Sequence, residues 1–186
     1  PRLLGLEDLG ESGADHLVDV REPLAYAAGH MQGAVCLPVG MIPAFAGWFI
    51  SEGDTIALIA SEEDELAQAM AHLVRIGLDN IVGGYVGVIP AAAQGKAMQS
   101  IAMIDTEEVA RRLAEDSEDW TLLDVRALDE RQQGSIDESE HVYVGELNTR
   151  WKELDRDRHY TLMCASGMRA SVAAGWLASQ GFKHLD

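Results

Sequence analysis

The chain has 186 residues, of which 47% are apolar and 24% are charged, a composition typical of one or two small globular domains with a buried core. Its 14 basic and 31 acidic residues give a formal net charge of −17 at pH 7, and a field of this sign repels phosphate backbones and anionic lipid surfaces. We therefore expect neither a nucleic acid nor a membrane as a partner.

The cysteines and the ends of the chain bear on its location. No stretch approaches the roughly 18 consecutive apolar residues of a membrane-spanning helix, and no basic-then-apolar leader opens the chain. Cys36 and Cys164 are far apart and form neither a disulfide framework nor a C-x-x-C metal pair. These features predict a cytoplasmic protein. Because residue 1 is a proline and not an initiator methionine, we expect a processed product or part of a longer protein.

The first half of the chain predicts alternating strands and helices. The apolar run 34–38 predicts a strand that places Cys36 in the core, and residues 55–59 predict another strand. A loop and a helix follow the second strand, and Gly77 is expected to end that helix. The apolar face of this helix is expected to carry Leu66, Met70, Leu73 and Val74.

The second half of the chain repeats this order of elements. Asp105 followed by Glu108 predicts a helix start, and residues 122–125 and 160–163 predict short buried strands. A further helix follows the second of these strands and is expected to end at Gly181. Its predicted core face carries Val172, Ala173, Trp176 and Leu177.

The two halves are also similar residue by residue. Leu17–Arg21 recurs as Leu122–Arg126 at an offset of 105. Ala57–Ala60 falls on Thr161–Cys164 at an offset of 104, so one residue of slippage relates the two offsets. A period this long indicates a duplicated domain and not a solenoid repeat.

The repeated unit predicts an α/β fold with two domains. Strands that alternate with helices imply, in each domain, a mainly parallel sheet with helices on both faces. Residues 90–102 are rich in alanine and glutamine, and we interpret them as the linker. The predicted domains are therefore 1–98 and 99–186.

The segment Cys164–Arg169 lies between a predicted strand and the helix after it. Such a loop directs backbone N–H groups at one spot, and the helix N-terminus adds partial positive charge there. This cradle, together with Arg169, favours the thiolate form of Cys164 and any terminal sulfane anion bound to it. Gly167 allows the backbone to turn with positive φ and leaves the loop open to a substrate, and Ala165 and Ser166 are small.

Over nearly its whole length the chain resembles a tandem pair of rhodaneses, a family of sulfurtransferases, most strongly in Leu122–Arg126 and Cys164–Arg169 and also in the stretch Leu17–Met41. In that family, the cysteine that opens a six-residue loop takes sulfane sulfur from a donor and passes it to a thiophilic acceptor. The resemblance implies Cys164 as nucleophile and persulfide carrier. It implies as substrate-binding residues Ala165, Ser166, Gly167, Met168 and Arg169, with no cofactor.

The first copy is expected to be inactive. Ala60 stands at the position of Cys164, and Glu65 stands at the position of Arg169. The carboxylates of residues 62–65 would repel an anionic sulfur donor, and no nucleophile is present. The copy resembles the inactive partner domain of tandem rhodaneses. In the second copy, 134–139 lacks the His and the second Gly of the family motif, which leaves the local loop shape open.

The remaining polar residues are expected to have structural and not catalytic roles. Asp19 with Arg21, and Asp124 with Arg126, are predicted to form ion pairs at the ends of strands. His141 and His159 have no partner at metal-ligand spacing, so we expect no metal.

Three functions remain open on the sequence. The first is transfer of sulfane sulfur from thiosulfate or a persulfide to a thiol or cyanide, through a persulfide on Cys164. The second is a cysteine phosphatase or arsenate reductase, but those enzymes use C-x5-R, whereas four residues separate Cys164 from Arg169. The third is a non-catalytic module that senses sulfur or binds a partner.

The end of the repeat predicts a larger protein. By the offset of 104, Asp186 corresponds to Val82, so the second domain is expected to be incomplete at its C-terminus. The motifs also resemble the rhodanese region fused behind a metallo-β-lactamase-like persulfide dioxygenase domain. The metal-binding motif H-x-H-x-D-H does not occur in this sequence, so such a domain would have to lie upstream.

Overall fold

A computed structural model describes residues 2–115 and 119–186. The chain divides into two compact units, of which the first extends to Ser100 and the second begins at Ile101. The sequence-based limits 1–98 and 99–186 stay a prediction. Within the residues described, no helix is long and apolar enough to cross a lipid bilayer.

The first unit alternates strands and helices, as expected. Its helices are α1 (Leu6–Glu11), α2 (Pro23–Ala28), α3 (Ile42–Phe49), α4 (Glu63–Arg75) and α5 (Val88–Ala93), with a 3-10 turn at Val39–Met41. Its strands are β1 (His16–Asp19), β2 (His30–Met31), β3 (Val35–Cys36), β4 (Ile56–Ala60), β5 (Ile81–Val86) and β6 (Met98–Gln99).

The main sheet of the first unit is parallel, in the order β3-β1-β4-β5. In its register, Leu17 is opposite Ala57 and Ile59 is opposite Tyr85. All five residues of β4 are buried, which explains why this strand is a continuous apolar run and not an alternating one.

The segment 90–102, interpreted as the linker, contains part of α5 and the strand β6, which pairs antiparallel with β2. The predicted apolar face of α4 was wrong at one position. On α4, Val74 is 54% exposed, and the buried positions are Leu66, Ala69 and Leu73. The helical period places Ala69 on the inner face three residues after Leu66, and Val74 has turned beyond that face.

The second unit repeats the pattern, with fewer strands in its described residues 101–115 and 119–186. Its helices are α6 (Thr106–Glu115), α7 (Leu128–Gln133), α8 (Leu147–Arg150) and α9 (Met168–Ser179), with 3-10 turns at Val144–Glu146 and Trp151–Glu153. Its strands are β7 (Trp120–Asp124), β8 (Glu140–His141) and β9 (His159–Met163). Asp105 accepts a hydrogen bond from the N–H of Glu108 at 2.9 Å, which confirms the predicted start of α6.

The sheet of the second unit is also parallel, in the order β8-β7-β9. A parallel bridge between Tyr160 and Leu185 adds the end of the chain beside β9, and Leu162 N–H donates to the carbonyl of Asp186 at 2.8 Å. The predicted fold class, two α/β units with mainly parallel sheets flanked by helices, is confirmed.

The core of the second unit is formed by β7, β9 and α9. The four residues predicted on the inner face of α9 are all buried: Val172, Ala173, Trp176 and Leu177. Gly181 follows the helix with φ +92°, in the left-handed region that glycine adopts most easily. This packing fixes the direction of α9, and therefore the place of its first turn.

The two predicted ion pairs are confirmed and are nearly identical. Arg21 Nη2 donates to Asp19 at 2.7 Å and to the carbonyl of Gly29 at 2.8 Å. Arg126 Nη2 donates to Asp124 at 2.7 Å and to the carbonyl of Gly134 at 2.9 Å. Each pair ties the end of a strand to the segment after the next helix, so both copies use the same clamp.

Candidate active site

The segment with Cys164 lies where β9 ends and α9 begins. β9 ends at Met163, and Gly167 caps the helix in the left-handed conformation, with φ +82° and ψ −21°. The exposed residues Ala165 and Ser166 form the outer part of the loop, and Cys164 is half-buried. The cysteine therefore lies at the carboxyl edge of a parallel sheet and is accessible from outside.

Two backbone amides point at the cysteine sulfur. Gly167 N–H donates to Sγ at 3.1 Å and Ala170 N–H at 3.4 Å. Amides in the first turn of a helix have no partner within the helix, and the dipole of the twelve-residue α9 adds positive potential there. The geometry can therefore hold a negative charge on or beside Sγ.

The predicted substrate-binding residues take different places around this sulfur. Gly167 supplies an amide to Sγ, whereas the prediction omitted Ala170, which supplies the other. The signal for Ala170 was available, because it lies in the first turn of the predicted helix. Met168 begins α9 and is half-buried.

Arg169 is held by a residue that the sequence did not single out. Its Nη2 donates to Oε1 of Glu130 at 2.7 Å, and its Nη1 donates to Oε2 of the same carboxylate. Glu130 lies on α7 and also accepts from the N–H of Ala127 at 3.2 Å. The two partners are 39 residues apart, so no local pattern could reveal this pair.

The pair shifts the titration of both members. The hydrogen bonds from Arg169 lower the pKa of Glu130 to about 2. The same hydrogen bonds raise the pKa of Arg169, and the neighbouring Cys164 contributes to this shift to a lesser degree. Arg169 therefore lies within the electrostatic reach of both the carboxylate and the sulfur.

A second ion-pair network in the same unit is centred on Asp124. Asp124, whose side chain is fully buried, accepts from Arg126 at 2.7 Å and from Arg131 at 3.2 Å. Burial opposes ionisation of Asp124, but the hydrogen bonds from Arg126 outweigh it, and its pKa lies below the usual range. Arg131 also donates to Oγ of Ser139 at 2.7 Å. Arg131 thereby fixes the 134–139 loop, whose shape the sequence left open.

The corresponding loop of the first unit contains a different arrangement. β4 ends at the buried Ala60, and α4 begins at Glu63. The carboxylate of Glu65 accepts from the N–H of Ser61 at 2.7 Å. A fixed negative charge therefore lies at the start of this helix, where the second unit has Arg169.

Other candidate groups in the described residues offer no reactive site. Cys36 is fully buried in β3, as expected of a core residue, and burial raises the pKa of its thiol. Among residues 2–115 and 119–186, no group of three or more His, Cys, Asp or Glu side chains could hold a metal ion.

Comparisons with known proteins agree with the duplication. A family model described as Rhodanese-like domain matches residues 5–90 and, a second time, 105–185. YtwF of Bacillus subtilis, a candidate sulfurtransferase by its name, is 34% identical over 86 residues, which cover 46% of this chain and 82% of that protein. A protein named sulfurtransferase from Allochromatium vinosum is 35% identical over 79 residues, which cover 42% of this chain and 73% of that protein.

Solved structures resemble the chain at lower sequence identity. The crystal structure of a thiosulfate sulfurtransferase from Pseudomonas aeruginosa is 17% identical, with a TM-score of 0.43. The match covers 99% of this chain and 42% of the Pseudomonas chain.

Proposed function

The chain belongs to the rhodanese-like family, and from this premise we propose that its second unit is a sulfurtransferase that carries sulfur as a persulfide on Cys164. The donor is thiosulfate or a persulfide of a small thiol, and the acceptor is a thiol or cyanide. The first unit is inactive in this proposal, because the cysteine position holds Ala60.

One observation carries the proposal: two backbone amides donate to Sγ of Cys164, at 3.1 and 3.4 Å. Donors that are fixed before the reaction stabilise negative charge without reorganisation. They are therefore suited to hold the negative charge of the attacking sulfur and of the sulfane anion that forms on it. The cycle needs no other nucleophile from the protein.

The proposed reaction has two steps that balance in atoms and charge. In the first, the Cys164 thiolate attacks the outer sulfur of thiosulfate. An Sγ–S bond forms, the S–S bond to sulfite breaks, and sulfite leaves with the bonding electron pair. In the second, the acceptor thiolate or cyanide attacks the outer sulfur of the persulfide, and the Cys164 thiolate leaves. No oxidant or reductant is consumed.

The mass of the intact protein after incubation with thiosulfate, or with 2-hydroxyethyl persulfide generated in solution, tests the proposal. We expect a gain of one sulfur atom that cyanide removes. Cys164→Ser should abolish this gain, whereas Cys36→Ala should keep it because Cys36 is buried. If the folded wild-type chain gains no sulfur from either donor, or if Cys164→Ser still gains it, the proposal is wrong.

A further inference from the structure

We propose that Glu130 is a positioning residue that acts through Arg169 and makes the site select sulfur donors by their charge. The site then favours persulfides with one negative charge over the dianion thiosulfate. This inference rests on the proposed function and concerns the same loop. It arises from a contact that the sequence motifs do not contain.

The first argument is geometric. Both terminal nitrogens of Arg169 donate to the two oxygens of Glu130, in the fork-to-fork geometry typical of strong guanidinium–carboxylate pairs. The side chains are only 20% and 32% exposed, so water screens the pair incompletely. An anionic donor that is to bind Arg169 must therefore compete with a carboxylate already bound to it.

The second argument concerns the other charges near the loop. Arg126 and Arg131 both donate to the buried Asp124, so their charges are also partly neutralised. Arg169 interacts electrostatically with Cys164 and is a cation that a donor would meet at the cysteine loop, and Glu130 is the anion paired with it. Because the pKa of Glu130 is about 2, its negative charge is present at every pH at which transfer is assayed.

The third argument comes from the duplicated copy. By the offsets of 105 and 104, Glu130 corresponds to Ala25 and Arg169 to Glu65. The copy that lacks the cysteine therefore has neither member of the pair. A pair that served only to hold the fold would have had the same use in both copies.

The chemistry of the two donors explains how Glu130 discriminates. Attack of the Cys164 thiolate on thiosulfate brings three negative charges together, and sulfite leaves as a dianion. Attack on an alkyl persulfide anion brings only two negative charges together, one on the Cys164 thiolate and one on the persulfide. The Sγ–S bond forms, and the thiolate RS⁻ leaves with the electron pair of the broken S–S bond. A fixed carboxylate beside the loop raises the barrier more for the first reaction than for the second.

The test measures the second-order rate constant for the gain of one sulfur atom on the intact chain, with thiosulfate and with 2-hydroxyethyl persulfide. The readout is the ratio of these two constants. Glu130→Gln removes the charge but keeps an acceptor for Arg169, and Glu130→Asp keeps the charge. Glu108→Gln is the matched control, because Glu108 also pairs with arginines, Arg111 and Arg112, and also has a pKa of about 2.

We expect Glu130→Gln to raise the ratio of the rate constant with thiosulfate to that with the persulfide about tenfold. In Glu130→Asp and Glu108→Gln this ratio should stay within about twofold of wild type. Glu130→Ala should raise it in the same direction, so the test does not depend on the folding of one variant. An unchanged ratio in both neutral variants overturns the inference, as does an equal rise in Glu130→Asp, since that would indicate a structural role. If wild type gains no sulfur from either donor, the proposed function itself has failed.

Discussion

The backbone amide of Gly167 lies 3.1 Å from Sγ of Cys164, and Gly167 itself adopts a left-handed conformation, with φ +82°. Residues with a Cβ rarely adopt this conformation, which costs them about 1 kcal/mol. The open space around Gly167 means that a methyl group there would meet no atom within 4 Å, so a substitution would act through the backbone alone.

Gly167→Ala is therefore expected to slow sulfur uptake by Cys164 about tenfold, because the strained loop relaxes and the amide turns away from Sγ. Gly181→Ala is the matched control, since Gly181 also has φ +92° and open space but follows the far end of α9. Both variants should lose similar stability in urea, and only the first should lose activity. Wild-type uptake in a folded Gly167→Ala would contradict the role of this amide.

The inactive first unit offers a gain-of-function test. Ala60→Cys in a Cys164→Ser background is expected to gain no sulfur, because the Glu65 carboxylate lies at the start of α4 and repels the donor. Adding Glu65→Arg should produce a measurable mass gain, which is slower than that of Cys164 because residue 60 is also more buried than Cys164. If Ala60→Cys alone takes up sulfur at the rate of Cys164, the charge of Glu65 does not explain the inactivity of this copy.

Asp19 and Asp124, the two buried aspartates at strand ends, should contribute about equally to the free energy of unfolding of their units. Asp124→Asn leaves Arg126 and Arg131 without their carboxylate and is expected to lower the free energy of unfolding of the second unit by about 3 kcal/mol. Asp19→Asn should have a comparable effect on the first unit. Denaturation in urea, followed by tryptophan fluorescence and circular dichroism, measures both effects.

The control for these variants is Asp64→Asn. Asp64 is exposed and, among the described residues, its side chain accepts from Gln68 alone, on the same helix, so its loss should change stability by less than about 0.5 kcal/mol. A similarly small effect for Asp124→Asn would show that its buried ion pairs do not stabilise the unit.

The pH dependence of stability follows from the direction of the Asp124 shift. Its pKa in the folded chain lies below the ordinary value of 3.8, so its contribution is fully present above that value and is lost as pH falls through the folded pKa. Urea unfolding between pH 6 and about pH 3 should therefore show a loss of stability at the acidic end that is smaller in Asp124→Asn. Parallel pH profiles for the two proteins would exclude Asp124 as a source of this loss.

Much of the fold was predictable because it depends on local patterns. The apolar run of β4, the helix face of α9 and the Asp–Arg spacing at two strand ends are each encoded within a few residues. The sequence repeat then predicted the elements of the second unit from those of the first. The order of residues from Cys164 to Arg169 likewise located the loop between a strand and a helix.

The contacts of that loop could not be predicted in the same way. Glu130 pairs with Arg169, which lies 39 residues later in the chain. Arg131 donates a hydrogen bond to Ser139 and so holds the 134–139 loop, which lacks the family's His and second Gly. The strand β6, read from the sequence as part of a linker, exists because it pairs with β2 far earlier in the chain.

Patterns along the chain were thus enough to predict the duplicated α/β fold, the family and the place of the cysteine. Hydrophobic periodicity and backbone conformation at glycine are properties of neighbouring residues, so they are readable along the chain. The tertiary structure alone decided which carboxylate holds Arg169 and which amides reach the sulfur. Those contacts form between side chains and backbone groups that only packing of the helices against the sheet brings within hydrogen-bonding distance.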